Sequence, residues 1–240
     1  MTMPLKISVC VSGQMRALEA WKTFSPHLSS HGRQTSVFLH TWHQPQTERV
    51  FRFHDHKLGQ WSPLVHSNQE ALDIIKPTNY LFEQNSPEVV EPCRGIGPNE
   101  LTRHRVFSMW RGQRMAAILA QRHATRSGHP DVMCRTRSDL EFDTDPFAFL
   151  EEKAPKEGMV FIPEGNNGGD PELPPTEALN DWFGFAAPDT FMAFTSLYTR
   201  ACEYFSKKPT LFPEVMLRHH IDALGLSVVR FPLSYRIRRI

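Results

Sequence analysis

Apolar residues in this chain fall into short β-branched runs and longer segments with helical spacing. Val132, Met133 and Cys134 form one apolar run, and Arg135-Thr-Arg-Ser-Asp139 follows it directly. Charged side chains at the end of a core strand are costly unless they are paired or bind a ligand. In open α/β sheets, ligands bind at the carboxyl ends of the strands. The stretch Asp131–Phe142 therefore predicts a central strand that ends in a binding site.

The same patterns predict further elements along the chain. The predicted strands are Lys6–Ser12, Ser36–Trp42, Tyr80–Glu83, Gly158–Pro163, Asp181–Ala186 and Leu226–Phe231. The predicted helices are Ala17–Phe24, Glu70–Ile75, Leu101–Thr125, Phe147–Glu152, Pro188–Phe205 and Glu214–Leu224. A long helix that stops at Gly128 and leads into a buried strand is typical of a βαβ crossover. We therefore expect an α/β fold with a mostly parallel central sheet flanked by helices.

Composition narrows the class of protein without naming a function. A chain of 240 residues with 40% hydrophobic and 22% charged residues can bury a core, and we expect residues 1–240 to form a single domain. The net charge of +1 gives no reason to expect nucleic acid as a partner. No apolar run approaches the length of a membrane span, and the first residues do not resemble a signal peptide. We expect a cytoplasmic protein, and peripheral attachment to a membrane through a partner stays open.

Four cysteines, Cys10, Cys93, Cys134 and Cys202, are spread along the chain without a Cys-x-x-Cys pair. This spacing excludes a zinc ribbon and disfavours a disulfide framework. We therefore expect reduced thiols that pack as small hydrophobic side chains.

A glycine turn follows the first predicted strand. Ser12 and Gly13 lead into Gln14 and Arg16, ahead of the helix predicted from Ala17. A strand, a glycine turn and a helix can offer backbone N–H groups to phosphate, with Arg16 in the first helical turn. A plain connection between strand and helix accounts for the same residues.

Three short motifs occur in one order along the chain, and together they resemble a known family. They are Ser8-Val-Cys-Val-Ser-Gly-Gln-Met-Arg16, then Arg135-Thr-Arg-Ser-Asp-Leu140, then Asp181-Trp-Phe-Gly184 followed by Phe212-Pro-Glu-Val215. The pattern resembles small GT-A-like glycosyltransferases of microbial surface-polysaccharide gene sets and large DNA viruses. The Arg-x-Arg-x-Asp-Leu element is the most specific part of the likeness.

The resemblance implies a GT-A-like, Rossmann-like fold and transfer of a sugar from a nucleotide-sugar donor to a glycan or glycoconjugate acceptor. It implies a nucleotide-binding half at about residues 1–145 and an acceptor half at about 146–240. Trp182 would bind sugar, and Glu214, or else Asp181, would take the proton of the acceptor. The residues implied in donor binding are Ser12, Gly13, Gln14, Arg16, Arg135, Arg137 and Asp139. Arg111, Gln113 and Arg114 are either further donor contacts or a solvated helix face.

A metal is the least determined part of this implied site. Most such enzymes hold a divalent cation, Mn²⁺ or Mg²⁺, with an Asp-x-Asp motif, but this chain has Arg137-Ser138-Asp139. Asp139 is then the candidate ligand of a metal or of a ribose hydroxyl, or Arg135 and Arg137 neutralise the diphosphate directly. An Arg–Asp pair that closes the strand end accounts for the same residues. Asp143-Thr-Asp145 also reads Asp-x-Asp, but it is better explained as a helix cap. Of His219 and His220, at most one can be a ligand.

Two other functions compete with sugar transfer. The chain could be a non-catalytic nucleotide- or sugar-binding protein of the same fold. It could also be a sulfotransferase-like enzyme, because a strand, a Ser-Gly turn and arginines also suit a phosphosulfate donor. A serine hydrolase lacks its Gly-x-Ser-x-Gly element here, and a P-loop kinase lacks its Gly-x-x-x-x-Gly-Lys.

Overall fold

A seven-stranded sheet forms the centre of the protein, as a computed structural model of the chain shows. The structure describes residues 4–49, 64–91, 100–165, 178–207 and 212–238. The strands are β1 Lys6–Ser12, β2 Gln34–Trp42, β3 Glu48–Arg49, β4 Leu64–Val65, β5 Asn79–Glu83, β6 Val132–Thr136, β7 Leu140–Phe142, β8 Met159–Pro163, β9 Gly184–Ala186, β10 Ser227–Phe231 and β11 Tyr235–Ile237.

Helices cover both faces of this sheet. They are α1 Trp21–Phe24, α2 Asn68–Ile75, α3 Pro87–Val90, α4 Glu100–Ser127, α5 Phe149–Glu152, α6 Pro188–Phe194, α7 Leu197–Lys207 and α8 Pro213–Ala223. Short 3-10 helices span Leu18–Ala20, Ser25–Leu28 and Ser30–Gly32. The α/β class, the mostly parallel central sheet and the single domain are thus confirmed.

The strand order brings the carboxyl ends of six parallel strands to one edge of the sheet. The order is β10-β8-β9-β6-β1-β2-β5, and all neighbouring pairs are parallel except the two that involve β9. In the run β5-β2-β1-β6, the chain leaves β1 toward β2 and later returns to the other side of β1 through α4. A position where the strand order reverses is where open α/β sheets bind ligands.

Side chains of the strands alternate between two buried layers. Cys10 and Met133 pack on the α4 side, whereas Val9, Val11 and Cys134 pack on the face that carries α1 and α5. A parallel sheet covered on both faces needs apolar residues on both sides of each strand. This requirement explains why β1 and β6 contain continuous apolar runs in the sequence.

The helix predicted over Pro188–Phe205 is wrong, because two helices meet there. α6 ends near Thr195, where side chains from other helices satisfy its last carbonyl groups. Arg114 Nη1 donates to the carbonyl of Met192 at 2.7 Å, and His220 Nε2 lies 3.0 Å from the carbonyl of Ala193. These tertiary partners stabilise a helix end that the local pattern does not mark.

Two other predicted elements are less regular than expected. The strand predicted over Asp181–Ala186 is regular only at β9, and Asp181 lies before it. The helix predicted over Ala17–Phe24 is a 3-10 turn followed by one turn of α1. Among the described residues, no helix combines the length and the apolar character needed to cross a membrane.

The expectation of reduced thiols is right for Cys10 and Cys134 and wrong for Cys202. Cys10 and Cys134 are free and buried, and burial raises the pKa of both thiols. Cys202 on α7 is disulfide-bonded, and its partner lies outside the described residues. Whether two cysteines pair depends on the distance between them in the fold, which their spacing along the chain does not give.

Gly112 sets the close approach of α4 to the end of β1. A Cβ atom at this position would lie 3.1 Å from Nδ1 of His40 and 3.3 Å from Cβ of Ser12. Both neighbours belong to strands, and His40 is fully buried, so neither can move away at low cost.

We expect Gly112→Ala to lower the free energy of unfolding by about 1–2 kcal/mol, because overpacking outweighs the better helix propensity of alanine. Urea denaturation followed by circular dichroism measures the change. Gln121→Ala, at an exposed position of the same helix, is the matched control and should be neutral or slightly stabilising. A Gly112→Ala protein as stable as this control would contradict the close packing of α4 on β1.

Candidate functional site

A cavity of about 510 Å³ opens at the carboxyl edge of the sheet, beside the end of β1. The ends of β1, β2 and β5 and the segment after β6 contribute residues, and α4 forms the opposite wall. The lining residues are Ser12, Gly13, Gln14, Arg16, Trp42, Asn85, His104, Arg105, Ser108, Met109, Gln113, Arg137 and Asp139. Six of the seven residues that sequence analysis assigns to the donor site thus lie in one cavity, Arg135 being the exception.

The glycine turn after β1 forms the floor of the cavity but does not lead into a helix. Gly13 has φ 109°, a conformation that residues with a Cβ rarely adopt. The chain then runs extended to Arg16, which forms an isolated β-bridge with Val65, and the first 3-10 turn starts only at Leu18. The expectation that Arg16 lies in a first helical turn is therefore wrong, and no helix begins directly at the glycine turn.

Arg137 and Asp139 form a two-point ion pair on the cavity wall. Arg137 Nε donates to Asp139 Oδ1 at 2.8 Å, and Nη2 donates to Oδ2 at 2.6 Å. The Asp139 side chain is 8% exposed, whereas that of Arg137 is 29% exposed. Arg137 therefore presents its remaining N–H groups to the cavity while Asp139 holds it in place.

Two further arginines of the cavity have no acidic partner in the described part of the chain. The Arg16 guanidinium donates to the side-chain oxygen of Gln14, and its buried Nε has no hydrogen-bond partner among the described residues. Arg105 is exposed on α4 and forms no ion pair among the described residues. Since Arg137 and Asp139 neutralise each other, Arg16 and Arg105 add two positive charges to the cavity that no acidic side chain of the described residues offsets.

The residues described here do not fit a protein-held divalent cation. Both carboxylate oxygens of Asp139 already accept hydrogen bonds from Arg137. Within the described ranges, no group of three or more His, Cys, Asp or Glu side chains converges. Hard cations need several oxygen ligands, and this cavity offers arginine in their place.

Arg135 lies behind the cavity, not in it. Its guanidinium donates to Gln113 Oε1 at 3.0 Å and to the carbonyl of Asn180 at 2.8 Å, and it stacks on Phe194 at 4.4 Å. Only 2% of the residue is exposed. Burial lowers its pKa to about 10, and the nearby Asp181 opposes that shift. Arg135 thus links the cavity wall, through Gln113, to the segment that carries Asp181.

Asp181 and Glu214 form a coupled pair of carboxyl groups beyond the cavity lining. Asp181 is 3% exposed and its Oδ1 has no partner among the described residues. Burial raises its pKa, while Arg135 and then Arg137 lower it. Burial, followed by repulsion from Asp181, raises the pKa of Glu214 to about 7. The pair therefore tends to keep one proton near neutral pH.

Trp182 packs against Tyr235 and does not line the cavity. Its backbone N–H donates to Asn180 Oδ1 at 2.9 Å, and its ring meets that of Tyr235 edge to face. The side chain is half-buried beside the core layer that contains Phe142 and Phe183.

Several other candidates have structural roles. On α4, Arg111 forms a two-point ion pair with Glu83, and Arg114 caps α6, so neither belongs to a solvated face or to the cavity. Asp145 accepts hydrogen bonds from the backbone N–H of Phe147 and from Arg33, but the N-cap residue of α5 is Ala148 and it makes no side-chain cap, so the expected helix cap is wrong.

The C-terminal histidines are also structural. Tyr204 lies 2.8 Å from Nδ1 of His220, and the Ala193 carbonyl lies 3.0 Å from its Nε2, so both ring nitrogens of this buried residue are occupied. Burial lowers the pKa of His220 to about 4. The ring of His219 packs edge to face on Tyr204. His220 is therefore unsuited to bind a metal.

Sequence analysis missed most of the α4 wall. His104, Arg105, Ser108 and Met109 line the cavity together with Gln113. Their spacing is helical, so they lie along one stripe, and Gly112 lies in the same stripe. The signal was present as a polar stripe beside a glycine on the longest predicted helix.

Comparison with protein-family models and with curated protein sequences finds no match for this chain. The features that bear on function are therefore the positively charged cavity and the coupled carboxyl pair. Both are built from residues at the carboxyl edge of the sheet or next to it.

Proposed function

We propose that this protein is a glycosyltransferase of GT-A-like type, which moves a sugar from a nucleotide-sugar donor to a glycan or glycoconjugate acceptor. The observation that carries the proposal is the cavity at the reversal point of the sheet, where two arginines have no acidic partner among the described residues. A nucleoside diphosphate sugar carries two negative charges on its diphosphate. Arg16 and Arg105 match that charge, and Arg137 adds N–H groups held in place by Asp139.

The floor of the cavity suits the diphosphate. Gly13 has no Cβ, so a phosphate oxygen can approach the backbone there, and Ser12 and Gln14 add polar side chains. As the sugar leaves the diphosphate, negative charge grows on the phosphate oxygens. Arginines already fixed at that place stabilise this charge without rearrangement. Arginine thus takes the part that a divalent cation has in many related reactions.

Glu214 is the proton acceptor in this proposal. A base works best when its pKa lies near the operating pH, and a pKa of about 7 meets that condition. Repulsion from Asp181 adds to the rise in the pKa of Glu214, and Arg135 with Arg137 opposes the rise that burial causes in the pKa of Asp181. Arg137 in the cavity interacts electrostatically with Asp181, and Asp181 interacts with Glu214. A change of charge in the donor site therefore affects the pKa of the proposed base.

The first test is a thermal-shift screen with nucleoside diphosphates and nucleotide sugars, with and without Mn²⁺. A ligand that binds only the folded state raises the melting temperature by mass action. We expect a shift with at least one nucleotide sugar, and we expect EDTA to leave it unchanged. No shift with any of them would reject the proposal. A shift with adenosine bisphosphate alone would favour a sulfotransferase.

Turnover separates an enzyme from a binding protein. Slow hydrolysis of the bound nucleotide sugar, lost in Asp139→Ala, is expected of a transferase in the absence of its acceptor. Binding without turnover across an acceptor library would instead favour a non-catalytic protein. One observation favours that alternative, namely that Asp181 and Glu214 do not line the cavity.

We expect Arg105→Gln to weaken binding of the nucleotide sugar found in the screen about tenfold, because it removes one charged hydrogen bond to phosphate. Arg126→Gln is the matched control, since Arg126 is exposed near the other end of the same helix and does not line the cavity. Isothermal titration calorimetry measures both affinities. Equal affinities in the two variants would remove Arg105 from the donor site.

A further inference from the structure

His104 lies on the cavity wall and is backed by a buried carboxylate. Its Nδ1 is 3.4 Å from Oε1 of Glu91, and the Glu91 side chain is only 1% exposed. This is a charge contact and not a hydrogen bond, and neither atom has a hydrogen-bond partner among the described residues. The other oxygen of Glu91 accepts a hydrogen bond from Arg103 Nε at 2.9 Å. Glu91 therefore holds two neighbouring side chains of α4 at once.

This arrangement fixes how His104 meets the cavity. A carboxylate beside Nδ1 keeps a proton on that nitrogen and sets the orientation of the ring. Nε2 is then the nitrogen left for the cavity, and it has no partner in the described part of the chain. Among the described residues of the lining, His104 is the one histidine, and a histidine can bind a further proton whereas an arginine is already charged.

The charges around His104 act in opposite directions. Glu91 favours an imidazolium, but it is shared with Arg103. Arg103 and Arg105 on α4 oppose a further positive charge, as do Arg16 and Arg137 from the other elements of the cavity, whereas Asp139 is occupied by Arg137. An anionic ligand would compensate those arginines and remove the opposition.

We propose that His104 binds the anionic part of the cavity's ligand through Nε2, that it takes up a proton from solvent as the ligand enters, and that Glu91 positions it. An ionised phosphate oxygen can only accept a hydrogen bond, so Nε2 must carry a proton to bind it. The proton remains on the histidine while the ligand is bound, and no covalent bond forms or breaks. The inference deepens the proposed function, since it assumes that the cavity is a phosphate site.

The experiment uses inorganic pyrophosphate as the probe, titrated into the full chain by calorimetry at neutral pH. Repeating the titration in buffers with different ionisation enthalpies gives the protons taken up on binding. We expect the original protein to take up a larger fraction of a proton than His104→Gln. The titration of pyrophosphate itself is common to both proteins and cancels in this difference.

We also expect the affinity for pyrophosphate to fall about tenfold in His104→Gln, from loss of one charged hydrogen bond. Glu91→Gln should weaken binding less and should reduce the proton uptake, because the ring loses its negative partner. His129→Gln, which removes an exposed histidine outside the cavity, should change neither quantity. A purely structural role for His104 would alter affinity without altering the proton count.

Equal proton uptake in the original protein and in His104→Gln would overturn this inference, as would the absence of any pyrophosphate binding. These outcomes are separable from a failure of the proposed function. Histidine-linked pyrophosphate binding without any response to nucleotide sugars would keep the inference and reject sugar transfer. A response to nucleotide sugars with unchanged proton uptake in His104→Gln would do the reverse.

Discussion

Glu214→Gln is expected to lower the rate of sugar transfer by about 10²–10⁴-fold while leaving donor affinity within about twofold, because a general base contributes to the chemical step and not to donor binding. The amide keeps the shape of the side chain but cannot take a proton. Glu214 lies outside the cavity lining, so its removal leaves the arginines that would hold the diphosphate in place. Steady-state kinetics with the donor and acceptor found by screening measures both quantities.

The rate of sugar transfer should depend on pH through the protonation of Glu214. Burial and Asp181 raise the pKa of Glu214 to about 7, so the side chain is protonated and inactive as a base below that pH. The rate with the original protein should therefore rise as the pH increases through about 7. This ascending limb should be absent in Glu214→Gln. A limb that persists in the variant would assign the base to another residue.

The free energy of unfolding should fall over the pH range in which the rate of transfer rises. The folded-state pKa of Glu214 lies above its ordinary value of 4.5, so the folded protein binds more protons than the unfolded chain between those two values. The contribution of Glu214 to the free energy of unfolding is thus lost as the pH rises from about 4.5 to about 7. Glu214→Gln removes that loss, and the variant should gain stability relative to the original protein across the same range.

A variant at an exposed acidic residue is the control for these measurements. Asp222→Asn, on the same helix, removes a carboxylate that pairs with Arg218 at the surface. It should leave the pH profile of transfer unchanged and alter stability by less than about 1 kcal/mol. If Glu214→Gln behaves like this control, Glu214 is not the base. It would then only interact favourably with the dipole at the start of α8.

Arg135→Met is expected to lower the free energy of unfolding by about 3–5 kcal/mol, since it leaves the buried Asp181 without its main positive partner. It also removes the hydrogen bonds to Gln113 and to the carbonyl of Asn180. Methionine fills much of the same volume, so the loss is electrostatic more than steric. Urea denaturation followed by fluorescence measures the change.

Two further variants test this cause. Arg135→Lys should recover little, because lysine cannot donate to Gln113 and Asn180 together while it stacks on Phe194. The double variant Arg135→Met with Asp181→Asn should recover part of the loss, with a coupling energy of about 1–3 kcal/mol. Arg122→Met, at an exposed position of α4, should be nearly neutral. Simple additivity of the two substitutions would show that Arg135 does not compensate Asp181.

Local sequence patterns are sufficient to predict which residues lie at the carboxyl edge of the sheet. The β-branched runs of β1 and β6 are apolar on both faces, which is typical of a parallel sheet covered on both sides. A charged segment after such a run must lie at the carboxyl edge. The sequence thus predicts that Gly13 and Arg137 lie at the same edge, and both line the cavity.

Arg135 shows where the same reasoning fails. It lies two residues from Arg137 and carries the same charge, so the sequence treats the two as equivalent. Residues two apart at the end of a strand point in the same general direction, but the chain leaves β6 after Thr136. Arg135 is enclosed by Gln113, Asn180 and Phe194 from three distant segments, and only the packing of those segments separates its role from that of Arg137.

The sequence alone determined the α/β class, the single domain, the long α4 helix and the edge of the sheet at which the cavity opens. These features follow from the period of apolar residues and from the cost of burying charge, which act locally. Only the tertiary structure decided which charges are compensated. Arg137 is matched by Asp139, whereas Arg16 and Arg105 have no acidic partner in the described part of the chain. Electrostatic pairing depends on distances of a few ångströms between segments far apart in the chain, and spacing along the sequence does not contain those distances.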